Sequence, residues 1–209
     1  MYKYFIKRIL DIILSGFGII FLAIPMVIIA LLIKFEDHGS PIFTQKRVGK
    51  HKKIFKLYKF RSMKLSTPNN VPTHMLENPD QYLLKCGKII RKYSVDELPQ
   101  LFNIFKGDMS VIGPRPALWN QDDLIAERDI YGANDVKPGL TGWAQINGRD
   151  KLEIPVKAKF DGEYAKKISF LFDFKCFFRT IELVLKSDGV VEGGTGEMAK
   201  KKEKQEPKK

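Results

Sequence analysis

The chain is poor in the residues that build metal clusters and disulfide scaffolds. It has two cysteines, Cys86 and Cys176, in unrelated surroundings, and three scattered histidines. No Cys/His spacing of the zinc type exists, and two distant cysteines make no disulfide framework. That usage fits a soluble part kept in a reducing compartment. No internal repeat is visible. The apolar N-terminal run is too long for a signal peptide, and no small-residue cleavage site follows it. No recognised nucleic-acid motif accompanies the basic charge, so nucleic acid is not an expected partner.

What the chain does have is charge of one sign. Thirty-six Lys and Arg against 24 Asp and Glu give a formal net charge of +12 over 209 residues. Hydrophobic residues make up 44%, enough for a core. A balance this basic fits nucleic acid, an anionic membrane face or a polyphosphate substrate. The apolar N-terminus favours the last two.

Residues 12–33 carry no charge. At ~1.5 Å rise per residue the run is long enough to cross a bilayer as one helix. Pro25, just past its middle, removes a backbone donor and clashes with the preceding turn, so a kink is expected there. Both flanks are basic: Lys3, Lys7 and Arg8 before the run, then Lys34, Lys46, Arg47, Lys50, Lys52 and Lys53 after it. Basic flanks prefer the cytoplasmic side. A helix–break–helix hairpin at Pro25, entering and leaving by one face, satisfies both flanks. A kinked spanning helix stays open on these residues alone.

Beyond the run, residues 42–48 read as one strand, Gly49-Lys50 as a turn, and residues 54–61 alternate apolar and polar side chains as a second strand, which predicts a β-hairpin. Residues 66–80, with three prolines, read as a surface loop. Helical spacing covers 81–92, and a second helix is expected from near Asp96 to Phe105, stopped by Gly107. Residues 173–186 predict an amphipathic helix with Lys175, Arg179, Glu182 and Lys186 on one face and phenylalanines over much of the rest. Either a core-facing or a membrane-interface helix fits that pattern. From Glu192 onward the composition is that of a disordered basic tail that touches anionic lipid.

The chemistry concentrates in Ser94-Val95-Asp96-Glu97-Leu98-Pro99-Gln100. Ser94-x-x-Glu97 matches a capping box, a purely structural use of Glu97. In that register, however, Pro99 is the fifth helical residue and breaks an intrahelical bond. With Asp96 as the N-cap, Pro99 is third and costs nothing, and Glu97 is left without a capping task. An ionised Asp96 can bind Mg²⁺ or attack phosphorus. Lys59, Arg91 and Arg115 are cations able to neutralise phosphate oxygens, and Arg115 is held between Pro114 and Pro116. The glycines of Gly139-Leu140-Thr141-Gly142 serve either as turns or as a phosphate cradle.

Four ordered motifs carry a resemblance. Asp96-Glu97-Leu98-Pro99-Gln100-Leu101-Phe102-Asn103, Lys106-Gly107-Asp108-Met109-Ser110, Gly113-Pro114-Arg115-Pro116 and the run from Lys137-Pro138-Gly139 to Asn147-Gly148-Arg149 are similar to the bacterial sugar transferase family, the small monotopic phosphoglycosyl transferases. Lys7-Arg8-x-x-Asp11, Phe43-Thr44-Gln45 and Tyr58-Lys59-Phe60 resemble it too, and the likeness covers roughly residues 3–187.

The resemblance implies transfer of sugar-1-phosphate from a UDP-sugar to a polyprenyl phosphate, with Mg²⁺ and release of UMP. It implies Asp96 as nucleophile and metal contact, Glu97 as its assistant and Arg115 as a phosphate holder. Lys59, Arg149 and Asp173 fall in the family's functional segments. The implied location is the bacterial inner membrane, with the catalytic part on its cytoplasmic face. The expected fold is α+β, mostly helical and monotopic: a re-entrant helix hairpin over 1–36, a catalytic domain with a small β-hairpin and interfacial helices over 37–190, and the tail over 191–209. One departure is Ile24-Pro25, where many relatives have Ser-Pro. Two other classes fit the residues alone: a metal-dependent glycosyltransferase with direct transfer, and a non-catalytic basic membrane anchor.

Overall fold

In the computed structural model, which describes residues 1–67, 79–148 and 151–185, the apolar run is two helices rather than one. A π-helical turn (Tyr2–Ile6) leads into α1 (Lys7–Phe21), and α2 (Ala23–Asp37) follows a single intervening residue. The two are bent by 61°. Among the described residues no single helix is long and apolar enough to cross a membrane, although this pair passes that test together.

The break is at Leu22 (φ −95°, ψ 7°), not at Pro25, which sits in the first turn of α2. The displacement follows from proline chemistry. The ring clashes with the carbonyl four residues back, and Pro25 offers that carbonyl, on Phe21, no N–H. Around the break, Leu22 N–H donates to the Gly18 carbonyl and Met26 N–H to the Leu22 carbonyl, both at 2.9 Å.

Helix α1 is inside out: Asp11 and Ser15 are buried, whereas Ile13, Phe17, Ile20 and Phe21 face outward, and α2 buries Ile33 while Ile24 and Phe35 face outward. The Asp11 carboxylate accepts from the Ser110 hydroxyl at 3.0 Å and the Val111 N–H at 2.9 Å. Ser15 returns its hydroxyl to the Asp11 carbonyl at 2.6 Å.

Strands β1 (Ile42–Val48) and β2 (Ile54–Phe60) form the expected antiparallel hairpin, with Ile42 opposite Phe60 and Val48 opposite Ile54. A 3₁₀ turn (Lys50–Lys52) joins them. The following loop lies mostly outside the described residues. α3 (Lys85–Lys92) is shorter than the sequence pattern, and its N-terminal extension is a 3₁₀ turn (Pro79–Tyr82). Next comes a 3₁₀ turn (Val95–Glu97), then α4 (Gln100–Lys106), ended by Gly107 at φ +102°.

A second, parallel pair joins β3 (Ser110–Ile112) to β4 (Gly139–Thr141). The glycines serve this approach. A Cβ on Gly142 would lie 2.1 Å from the Gly113 carbonyl oxygen. Thus the Gly139-to-Gly142 segment is a strand and its flank, packed backbone to backbone. Helix α5 (Asp122–Tyr131) packs on α7 (Ile154–Lys167), where Val48, Ala117, Leu124 and Ala158 make a small core. The short α6 (Trp143–Ile146) lies between β4 and α7.

The last described helix, α8 (Phe170–Leu185), buries its polar and small residues Asp173 and Cys176 and turns Phe170, Leu171, Phe174, Phe178 and Ile181 outward. Both cysteines are free thiols. The tail from residue 191 lies outside the described residues.

Candidate active site

The acidic pair sits on neither of the two expected capping registers. Ser94 takes a left-handed conformation (φ 55°) and makes no side-chain cap bond. The next residues form i→i+3 bonds, Glu97 N–H to the Ser94 carbonyl and Leu98 N–H to the Val95 carbonyl, both at 3.2 Å. α-Helix resumes only at Gln100, with Pro99 just ahead of it, where a missing N–H costs nothing. The expected helix N-terminus at Asp96 is therefore a 3₁₀ turn, and the α-helix begins four residues later, at Gln100.

That turn is fixed from two sides. Asn103, fully buried on α4, accepts from the Tyr58 N–H at 3.0 Å and donates to the Lys56 carbonyl at 2.7 Å, which locks α4 to β2. Arg8 of α1 donates to the Ile104 and Phe105 carbonyls at 2.7 and 2.8 Å, closing the C-terminal end of α4. Gly18 of α1 lets Leu101 approach: a Cβ there would lie 3.2 Å from its side chain. The Asp96-Glu97 turn is thereby tied, through α4, to the bent apolar pair.

Four of the expected residues meet here. Lys59 Nζ lies 3.0 Å from Glu97 Oε1 and 3.9 Å from Asp96 Oδ2. Arg115 Nη2 lies 2.6 Å from the same Glu97 oxygen. Asp96 is buried. Burial pushes the Glu97 carboxyl upward, but the charges of Arg115 and Lys59 outweigh it and hold Glu97 well below the usual carboxylate range. Glu97 thus holds the two cations in place, while the Arg115 side chain stays 35% exposed and within reach of a ligand.

The Pro-Arg-Pro segment is braced by residues the sequence did not single out for this purpose. Arg128 donates to the Arg115 carbonyl at 2.9 Å, and its Nη2 pairs with Asp161 at 2.5 Å, both side chains being nearly fully buried. Arg47 of β1 donates to the Pro116 carbonyl at 2.9 Å. The pairing of Arg128 with Asp161 spans 33 residues and leaves no local signature.

Two more of the expected residues have contacts of their own. Arg91 on α3 donates to the Ser62 hydroxyl at 2.7 Å. Asp173 accepts from Tyr2 at 2.6 Å, Lys7 at 2.7 Å and Tyr164 at 2.7 Å, clasping the N-terminal segment to α8. Both of its carboxylate oxygens are engaged there. Arg149 lies outside the described residues.

A divalent ion fits the donor set in one way. Among the described residues no group of three His, Cys, Asp or Glu side chains forms a ready cage. Mg²⁺ usually takes one or two carboxylates and completes its shell with water and substrate phosphates. Asp96 supplies such a carboxylate, and Glu97 is already committed to its cations.

A bent, outward-apolar helix pair joined to a cation-ringed Asp-Glu turn defines a class: a helical enzyme built for phosphate chemistry next to an apolar surface. The chain belongs to the Bacterial sugar transferase family, whose profile matches residues 2–187. It is 45% identical over 154 residues to the "Uncharacterized sugar transferase EpsL" of Bacillus subtilis, covering 73% of this chain and 74% of that protein. It is 38% identical over 190 residues to the UDP-N-acetylgalactosamine-undecaprenyl-phosphate N-acetylgalactosaminephosphotransferase of Aeromonas hydrophila. It is likewise 38% identical over 189 residues to the UDP-glucose:undecaprenyl-phosphate glucose-1-phosphate transferase of Escherichia coli. These last two matches cover 88% and 84% of this chain but only 45% and 39% of those longer proteins.

Proposed function

We propose that this chain transfers sugar-1-phosphate from a UDP-sugar to a polyprenyl phosphate with release of UMP, an early membrane step of glycan assembly. The observation that carries the reading is the convergence of Lys59, Glu97 and Arg115 around the buried Asp96. The names of the two longer relatives, with different sugars on the same carrier, support the reaction class.

In this proposal an Asp96 carboxylate oxygen attacks the β-phosphorus of the donor. The bond from that phosphorus to the bridging oxygen breaks, and UMP leaves with the electron pair. The polyprenyl phosphate oxygen then attacks the phosphosugar on Asp96 and restores the carboxylate. No bond at the anomeric carbon breaks, so its configuration is kept. Lys59 and Arg115 orient the diphosphate and stabilise charge on its oxygens, Arg115 through its planar fork. Glu97 holds both cations in register before the donor arrives. Mg²⁺, when bound, adds charge neutralisation at the diphosphate, with Asp96 as its protein ligand.

The outward apolar faces of α1, α2 and α8 support a monotopic placement. The bent pair enters and leaves the cytoplasmic leaflet by one face, and α8 lies in the interface. A ring of paired charges around a buried carboxylate is more than a lipid anchor needs, which disfavours the non-catalytic reading. Direct transfer differs in kinetics. Initial velocities of UMP release over a grid of donor and acceptor concentrations should give parallel double-reciprocal lines. Intersecting lines would assign the site to direct transfer. A panel of UDP-sugars in the same assay names the sugar.

A further inference from the structure

A cavity of about 170 Å³ opens between the N-terminal segment, the hairpin turn and the Lys137-Pro138-Gly139 segment. Five cations line it, Lys3, Lys7, Arg8, Lys50 and Lys137, against the carboxylates of Asp11 and Asp135. Lys59, Asp96, Glu97 and Arg115 are not among its walls.

Most of these charges are already engaged. Lys7 pairs with Asp173, Arg8 serves the α4 carbonyls and Lys3 donates to the Ala165 carbonyl at 3.3 Å. Asp11 holds Ser110, and Asp135 faces His51 at 3.2 Å. The ammonium groups of Lys50 and Lys137 have no hydrogen-bond or ion-pair partner among the described residues. Lys137 is half-buried beside the Arg8 guanidinium. Burial, then the Arg8 charge, pushes its pKa down despite the opposing pull of Asp11. A cation desolvated next to another cation is stabilised by an anion between them.

The surroundings select the anion's carrier. Tyr4 lines the cavity and is 80% exposed. The segment runs directly into α1, whose apolar side chains point outward, and Tyr2 meets Phe170 of α8 edge-on at 6.0 Å. The cavity thus lies against the apolar surface that the monotopic placement puts in lipid.

We propose that this cavity binds the phosphate headgroup of an anionic phospholipid, with Lys50 and Lys137 as its ligands and the acyl chains lying along the outward face of α1. The inference rests on the membrane placement proposed above and not on the Asp96 chemistry, so a failed covalent step leaves it standing. It gives lipid a built site, apart from the cationic tail.

The test is calorimetric titration of the full chain in non-ionic detergent with short-chain phosphatidylglycerol, phosphatidylcholine, inorganic phosphate and UDP. Saturable one-to-one binding of phosphatidylglycerol is expected, at least tenfold tighter than phosphatidylcholine or inorganic phosphate. It should weaken at least tenfold in a Lys50→Gln/Lys137→Gln double variant and persist in Lys137→Arg. Lys175→Gln, on the α8 surface, should bind as the wild type does. If the double variant fails to fold by thermal melting, Lys50→Gln alone, on the exposed turn, should weaken binding at least threefold. Unchanged binding in the folded Lys50 and Lys137 variants would overturn the proposal. So would equal binding of phosphatidylcholine, or an equal loss in Lys175→Gln. Inorganic phosphate binding as tightly as the lipid would make this a site for soluble anions, and displacement of the lipid by UDP would make it part of the donor site.

Discussion

Arg115 and Glu97 are joined at 2.6 Å, guanidinium Nη2 to carboxylate Oε1, so the more exposed of the two cations on Glu97 is aimed by the acid next to Asp96, the proposed nucleophile. The prolines on each side fix the backbone, and Glu97 fixes the side chain. Lysine keeps the charge and loses the fork. Arg115→Lys should therefore lower kcat/KM for UMP release by roughly 10²-fold, the usual loss for one phosphate- or oxyanion-directed donor. Turnover within a few-fold of the wild type would reduce Arg115 to a diffuse electrostatic role.

Glu97 makes a prediction in pH. Its folded pKa is depressed, because Arg115 and Lys59 outweigh burial. A depressed carboxylate adds stability above its unfolded pKa of about 4.3 and loses it only as pH falls through the lower folded value. Carboxylate ¹³C resonances should therefore show Glu97 ionised from pH 7 down to 4. In Arg115→Gln the midpoint should rise by at least about one unit, since burial is then opposed by Lys59 alone. An ordinary midpoint near 4.3 in the wild type would contradict the arrangement.

Arg128 and Asp161 are predicted to matter twice. Removing one partner of a buried pair strands the other charge and costs about 3–5 kcal/mol. Asp161→Ala should lower Tm on the order of 10 °C in a chain of this size. Because Arg128 also holds the Arg115 carbonyl, Arg128→Ala should reduce kcat in the protein that remains folded. A fall in Tm with full kcat would confine the pair to stability.

The bend at Leu22 predicts topology. With Cys86 replaced by serine, cysteines placed at Tyr4 and Lys53, on either side of the apolar pair, should both resist an impermeant thiol reagent in intact cells. They should both react once the membrane is opened. Labelling of one site from outside would mean a spanning helix.

Local pattern foretold the local features. The strand–turn–strand pattern around Gly49-Lys50 marks the β1–β2 hairpin to within a residue of its observed ends. The Asp-Glu pair, Lys59 and Arg115 were legible because their motifs are short and ordered. The helix expected from Asp96 starts instead at Gln100, with the acids on a 3₁₀ turn; proline is tolerated anywhere in a first helical turn, so Pro99 did not mark which start the chain takes. Pro25 marked a break that its ring displaces three residues upstream, to Leu22. The phenylalanine arc of α8 reads the same for core and lipid, and only the burial of Asp173 and Cys176 tells which side is inward. The resemblance implies a functional role for Asp173 from its segment, whereas the partners Tyr2 and Lys7 that hold it in the fold lie more than 160 residues away, a distance no local spacing encodes.

The central claim is that Asp96 carries the sugar phosphate. Intact-protein mass spectrometry after incubation with UDP-sugar and Mg²⁺, without polyprenyl phosphate, tests it most directly. A gain of one sugar-phosphate mass is expected, mapped to the Asp96 peptide, with a stoichiometric burst of UMP. Asp96→Asn should abolish both, because a neutral amide is a poor nucleophile. Glu97→Gln should slow turnover and still permit some adduct. A saturated donor site that gives neither adduct nor burst, in an enzyme that turns over once acceptor is added, would contradict the covalent step and establish direct transfer.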